Sequence, residues 1–272
     1  MGMDIQRTAS QILLSDLNYI QKEKAIIPEL VGKRLFDTPI FGYGDPNDPY
    51  LLQLADVKDL KMKMPKEWLP SAETIISVFF PYSSELKKSS KIKGERKAFE
   101  WFHVRLEGQA LIMSFLKEVK NELEQEGYEA VVPQQEKNFM SSAFRNAPEG
   151  MPAFSSNWSE RHAAYACGLG TFSLTKALIT EKGAAGRFGS ILTSKRIERT
   201  ERSYEGFQDN CSKCGKCIKR CPVSAISMDG KDNTRCADYL KSVFQEYEPY
   251  YGCSECQIGV PCESKIPKKG RP

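Results

Sequence analysis

The sequence predicts an α+β protein: an α/β domain over residues 1–205, then a small cysteine-rich module over residues 206–272. Three observations carry that expectation. Apolar residues at helical and at strand spacing alternate along the first two hundred positions. A polar, highly charged stretch from Ser194 to Asp209 interrupts them and reads as a linker. Beyond it, eight of the nine cysteines fall between positions 211 and 262, which is the crowding of ligand chemistry.

Composition narrows the functional classes. Hydrophobic residues make up 40% and charged residues 27% of the 272-residue chain, the balance of an ordinary water-exposed protein. No run of eighteen apolar residues suggests a membrane span. The opening MGMDIQRTAS lacks the basic and apolar regions of a secretory signal, so the expected address is the cytoplasm. There thiols stay reduced, which argues against a disulfide framework. A net charge of +4 gives no footprint of a dedicated nucleic-acid binder.

The elements follow in order. Ile5, Ile12, Leu13, Leu17 and Ile20 predict a helix from Asp4 to about Lys24, stopped before Pro28. Residues 38–70 are rich in Pro, Gly and Asp and read as loop with short structured pieces. TIISVFF, 74–80, predicts a buried strand closed by Pro81. The basic run at 87–97 reads as a solvated loop, with phosphate contact as the alternative. A long helix from about Glu95 to Gln125 carries Phe99, Phe102, Leu106, Ala110, Met113 and Leu116 on one stripe, and Gly127 ends it. YEAVV, 128–132, predicts a second strand. Asn157 with Glu160 forms a capping-box pattern for a helix reaching Cys167. ALIT, 177–180, and FGSILTS, 188–194, predict two further strands.

Cys211, Cys214, Cys217 and Cys221, followed by Pro222, stand in the spacing C-x2-C-x2-C-x3-C-P of bacterial ferredoxins. Three thiolates at two-residue intervals can wrap a short loop around one face of a [4Fe–4S] cube. The chain then turns into a helix, which carries the fourth cysteine away toward a second cube. A second group is present: Cys236, Cys253, Cys256 and Cys262. Eight ligands and two clusters close the arithmetic. Zinc is the competing reading, but it would leave the central cysteine of the first run redundant.

These residues carry a resemblance. From Leu69 to Cys262 the chain resembles epoxyqueuosine reductases and their wider relatives, which include the reductive dehalogenases. The matching pieces are LPSAETIISVFFPY, SERHAAYACGLGTFS, GRFGSILTS, the first cysteine run, DNTRCADYL and YGCSECQ. That family couples a corrinoid-binding α/β domain to a two-cluster ferredoxin module. The resemblance implies that Cys211, Cys214, Cys217 and Cys262 hold the cluster nearer the cofactor. Cys221, Cys236, Cys253 and Cys256 hold the other. It also implies a cobalamin-type centre in the first domain, touched by Gly168, Gly170, Gly189 and Ser190. Read without it, those glycines and Gly186 serve equally as turn residues.

The expectation is therefore an iron–sulfur oxidoreductase in which two clusters pass electrons to a corrinoid. A ferredoxin or flavodoxin would supply the electrons, and the substrate would be a small molecule or a corrinoid protein. A non-catalytic electron carrier or reductive activator is the alternative from another class. Three departures from the family pattern are legible. Cys256 and Cys262 are spaced C-x5-C instead of C-x3-C, Phe154 stands where the family has its proton-donating Asp, and the chain ends at Pro272, before the family's helical-repeat extension. They predict corrinoid binding without epoxyqueuosine-tRNA turnover, unless Glu149, Glu160 or His162 replaces the acid. His162 otherwise reads as a packing histidine, His103 as structural, and Cys167 as a small buried hydrophobe or, less simply, a reactive thiol. No P-loop and no dinucleotide-binding glycine fingerprint occurs.

Overall fold

The computed structural model describes residues 4–57, 61–91, 99–142 and 151–268. The greater part of the basic run, the expected first residues of the long helix and Glu149 lie outside the described residues.

A first helix, α1, spans Ile5–Leu14, capped by the Asp4 carboxylate accepting from Arg7 N. It stops ten residues short of the expected end. The reason is Asn18, whose buried side chain donates to Leu13 O and Phe36 O and accepts from Phe36 N, fixing a non-helical turn. Strand β1 is Ile40–Gly44, and the loop region beyond it contains two short helices, α2 at Pro49–Gln53 and α3 at Pro65–Trp68. Strand β2, Thr74–Pro81, is buried at all eight positions. Helix α4 follows at Ser84–Ser89 and the long helix α5 at Phe99–Gln125. Strand β3 is only Ala130–Val131.

Helix α6 covers Glu160–Ala166, with Ser159 at its N-cap. The expected Asn157 cap is not formed. Asn157 instead accepts from Met140 N and donates to Asn138 O, tying two loops together, and Glu160 turns its carboxyl inward. Strands β4, Gly170–Phe172, and β5, Leu178–Thr180, pair as a small ribbon, and β6 runs Gly186–Thr193. The C-terminal module contains α7, Lys216–Arg220, the hairpin of β7, Ile226–Ser227, with β8, Gly230–Lys231, and α8, Asn233–Tyr247.

The main sheet has the order β1-β2-β6-β3, and all its pairings are antiparallel, as suits an α+β fold. Its pleat sorts the core. Ile76, Val78, Phe80 and Ile191 face α5, whose Leu111, Ile112, Phe115 and Leu116 pack on them. Ile75, Phe79 and Leu192 face the α6 side. Because both faces are covered, β2 reads in sequence as one continuous apolar run. Gly42 and Gly44 let β1 lie against the end of α6: a Cβ on Gly42 would stand 2.2 Å from Cys167 O, and one on Gly44 2.8 Å from Cys167 Sγ. Among the described residues no helix is long and apolar enough to cross a membrane.

The cysteine module is stitched to this body. Ala184 N and Ala185 N donate to Cys262 O and Glu263 O at 2.8 and 3.0 Å. Asn210 is held by Thr171 Oγ1 and Ile179 O, and Phe172 N donates to Phe207 O. Ile258, 0% exposed, belongs to the main core together with Leu30 and Val104.

Candidate functional site

Cys211, Cys214, Cys217 and Cys262 line one cavity, walled further by Ile179 and Val260. The first three reach it because Lys213 and Gly215 take left-handed φ angles of 51° and 69°, coiling the loop tightly before α7 begins. Cys262 arrives from far along the chain and is fixed by its carbonyl's bond from Ala184. Burial, with the Cys211 and Cys217 thiols alongside, pushes the Cys262 thiol up to about 12. The Cys217 thiol is raised for the same reasons. Crowded thiols resist ionising together, which is the signature of sites that wait for a cation to neutralise them.

The remaining four cysteines form a second neighbourhood. Cys236 sits in the first turn of α8, and Cys221 Sγ accepts from Ala225 N at 3.2 Å. Burial raises Cys253 to about 12 and Cys256 to about 11, with Cys236 acting on both and Cys221 on Cys256. Cys217 also acts on Cys256, so the two neighbourhoods adjoin. Among the described residues no three His, Cys, Asp or Glu side chains converge on a single-ion site.

The positions expected to touch a corrinoid lie at the end of α6, on β4 and on β6. Gly168 ends α6 in the left-handed region, φ +79°. A Cβ on Gly170 would stand 2.1 Å from Ile179 O, so its bareness serves the β4–β5 approach. One on Gly189 would stand 2.8 Å from Ile112 Cγ2, on the α5 face. Ser190 points to the opposite face, where it accepts from Trp158 Nε1 at 2.9 Å. At Gly170 and Gly189 close packing against protein atoms by itself accounts for the absence of a side chain.

Beside Ser190 lies an unusual carboxyl. Both oxygens of Glu160 are buried without a well-formed hydrogen bond. Burial raises its pKa to about 8, while the nearby Ser190 and Trp158 pull the other way. Glu160 is therefore a protonated acid at neutral pH. His162 is the reverse: burial, then the Arg161 charge, lower it to about 4, and its Nδ1 lies 2.7 Å from Ser159 Oγ. Its ring packs between Tyr50 and Phe172. His103 is fully buried, its Nε2 accepting from Ile26 N and its Nδ1 facing Glu107. Cys167 is enclosed, and burial drives its thiol pKa far upward, the state of an inert thiol. Phe154 adopts φ +60°, with the Lys231 ammonium 5.0 Å above its ring.

Sequence reasoning missed Arg105, Arg161 and Arg187. Arg187, on β6, donates to Gln109 Oε1 through Nε at 3.1 Å and Nη2 at 2.5 Å. Arg105, one turn before Gln109 on α5, lies over the Tyr251 ring at 4.1 Å, and its Nε is buried without a partner. Arg161, on α6, is exposed. Burial lowers the Arg161 pKa, the Arg187 and Arg105 charges lower it further and Cys256 opposes them, so these groups lie within electrostatic reach of it. Nothing in the sequence marks these three among 39 basic residues, because only the tertiary fold joins them.

Residues 205–227 match the model of the 4Fe–4S binding domain family. Among solved structures, the chain is similar to an epoxyqueuosine reductase from Streptococcus thermophilus (TM-score 0.57, 20% identity, covering 95% of this chain and 65% of that one). It is also similar to an epoxyqueuosine reductase with an epoxyqueuosine-modified tRNA-Tyr stem loop (TM-score 0.50, 19% identity, 84% and 62% covered). A reductive dehalogenase whose structure suggests a mechanism for B12-dependent dehalogenation gives TM-score 0.51 at 17% identity, with 85% and 30% covered. This chain thus spans about two thirds of the reductases' length, and at these identities the likeness is one of fold. No curated protein sequence matches significantly. The family match and the gathered thiols agree on iron–sulfur clusters as the cofactor.

Proposed function

We propose that the protein is an oxidoreductase in which two [4Fe–4S] clusters carry electrons to an acceptor beside Arg161. Cys211, Cys214, Cys217 and Cys262 would hold one cluster, and Cys221, Cys236, Cys253 and Cys256 the other. The observation that carries this reading is the sorting of eight thiols into two adjoining neighbourhoods, with Cys256 in electrostatic reach of Arg161. Cys214 is the one exposed cysteine, and Lys213 and Lys216 flank it, which suits docking of an acidic donor such as a ferredoxin or flavodoxin. Clusters of this kind belong to a reducing compartment, so the cytoplasm is the location we propose.

A corrinoid is the acceptor that the fold likeness suggests. Gly168, Gly170, Gly189 and Ser190 would be the residues that touch it, with Ser190 already held by Trp158 Nε1. Epoxyqueuosine-tRNA reduction lacks a proton donor in this chain. Phe154 has no exchangeable side-chain proton, and the acidic proton of Glu160 is enclosed.

Anaerobic reconstitution tests the reading. About eight irons and about eight labile sulfides per chain are expected, with two interacting paramagnets on full reduction. Stoichiometric zinc without sulfide would overturn it. The same preparation, supplied with cobalamin and desalted, shows whether a corrinoid is retained; clusters without any bound acceptor leave the protein an electron carrier for a partner.

A further inference from the structure

Two stretches of chain cross from the first set of cysteines to the second. One is α7, which separates Cys217 from Cys221. The other is the loop from Cys256 to Cys262, whose spacing is longer than the family pattern. That loop is held at several points. Gln257 N and Ile258 N both donate to Ser254 O at 2.9 Å, and Ile258 is anchored in the main core. Gly259 N donates to Glu263 Oε2 at 2.6 Å, and Lys91 pairs with Glu263 Oε1 at 2.8 Å.

Arg220, the last residue of α7, reaches from one crossing to the other. Its Nε donates to Glu255 O at 2.9 Å, and its Nη2 pairs with the Glu255 carboxylate at 2.7 Å. Its guanidinium lies against Gly259, where a Cβ would stand 3.2 Å from both Cζ and Nη1. Gly259 also has φ +70°, so a larger residue would be strained as well as crowded. The Arg220 side chain is 16% exposed and that of Glu255 33%, so water screens the pair only in part. Cys221 follows Arg220 directly, and Glu255 stands between Cys253 and Cys256. Three of the four cysteines assigned to the second cluster therefore adjoin this ion pair in the chain.

We infer that Arg220 is a positioning residue for the second cluster, tying the two crossings together and supplying the counter-charge that keeps Glu255 from disfavouring reduction there. The inference rests on the cluster assignment proposed above and adds what sets the potential of the second site. Cluster potentials respond to local charge, and a guanidinium held in place is a constant positive charge. Without Arg220, an uncompensated carboxylate would stand beside the second set of thiolates, and adding an electron would cost more. A purely mechanical strut would behave differently. Breaking the pair from either side would then have the same effect, whereas a counter-charge gives the two partners opposite signs.

The test is anaerobic redox titration of the reconstituted full chain at one fixed pH, followed by electron paramagnetic resonance. Arg220→Gln should weaken the one-electron reduction constant of the second cluster about tenfold, which lowers its midpoint potential by about 59 mV. Glu255→Gln should raise the same potential, and the double variant should return close to the parent. Arg220→Lys, which keeps the charge and loses the fork, should recover part of the shift. The second cluster is identified as the one whose signal Cys253→Ala removes. Glu255→Gln keeps the backbone carbonyl that Arg220 Nε uses, so it carries the test alone should Arg220→Gln lose its clusters. Iron and sulfide counts on every sample separate the two readings. A parent protein that takes up no clusters defeats the assignment itself. Loaded protein in which Glu255→Gln lowers the second potential, or leaves it unmoved, overturns the role of Arg220.

Discussion

Glu160 sets a pH window through one buried carboxyl. Its ordinary value of 4.5 applies in the unfolded chain, and about 8 in the folded one. Between those values the unfolded state releases the proton and the folded state keeps it. Stability from this group is thus complete below pH 4.5, drains away as pH rises toward 8, and is level beyond. The full difference is roughly 4–5 kcal/mol as an upper bound. Glu160→Gln keeps the shape and abolishes the titration. The variant's unfolding midpoint should therefore fall less than the parent's between pH 5 and pH 8, as followed by denaturant titration; parallel pH profiles would refute the buried-acid assignment. His162 works in the other direction. Held at about 4 against an ordinary 6.5, it costs stability as pH falls through that interval. Neither role is legible from residue types alone. The pairing of Glu160 with Asn157 looked like a helix cap, and only the loop bonds of Asn157 show why it is not.

At the scale of elements, the turn between β5 and β6 is where the first cysteine cavity is built. Gly183 has φ +84°, and a Cβ on it would stand 2.4 Å from both Glu263 O and Ser264 N. Gly183→Ala should therefore push away the segment that carries Cys262, lowering iron content toward one cluster's worth and leaving the other set loaded. Iron analysis with spectroscopy of the residual cluster checks this; full iron content would mean that the turn yields. The ligand partition has its own test. Cys221→Ala should damage the same cluster as Cys253→Ala, and Cys214→Ala the one damaged by Cys262→Ala. Cys221 grouping with Cys214 would refute the crossed arrangement. Elements of this kind were legible where a single physical cause acts locally. The TIISVFF run announces a strand covered on both faces, and the cysteine spacing announces a loop around a cluster. The first helix was over-read because Asn18 acts through Phe36, eighteen positions away, which no local periodicity contains.

On the scale of the whole molecule, the cysteine module and the sheet share one core. A boundary near residue 205 matches the polar composition, yet Tyr204 OH donates to Tyr165 O at 2.6 Å and Ile258 is packed with residues of the first domain. Gln257 Nε2 donates to Ala184 O, and Tyr250 OH to Lys24 O. Composition could not reveal this, since a linker's polarity says nothing of what the chain touches after it. The consequence is energetic coupling. Clusters bind the folded thiol arrangement and not the unfolded chain, so their binding free energy adds to the stability of whatever unfolds with them. If Cys262 and Ile258 leave their places, Ala184, Ala185 and part of the α5 packing lose partners too. Holoprotein should therefore unfold in one transition, and removing the clusters should lower the midpoint of the sheet itself by roughly 10 °C, as a loss of a few kcal/mol would in a chain of this size. Hydrogen exchange at β2 and β6 amides reads this directly. Protection there should fall in the cluster-free protein together with that of α8. Unchanged protection in the sheet alongside lost protection in α8 would show two independent units and would sink the coupling.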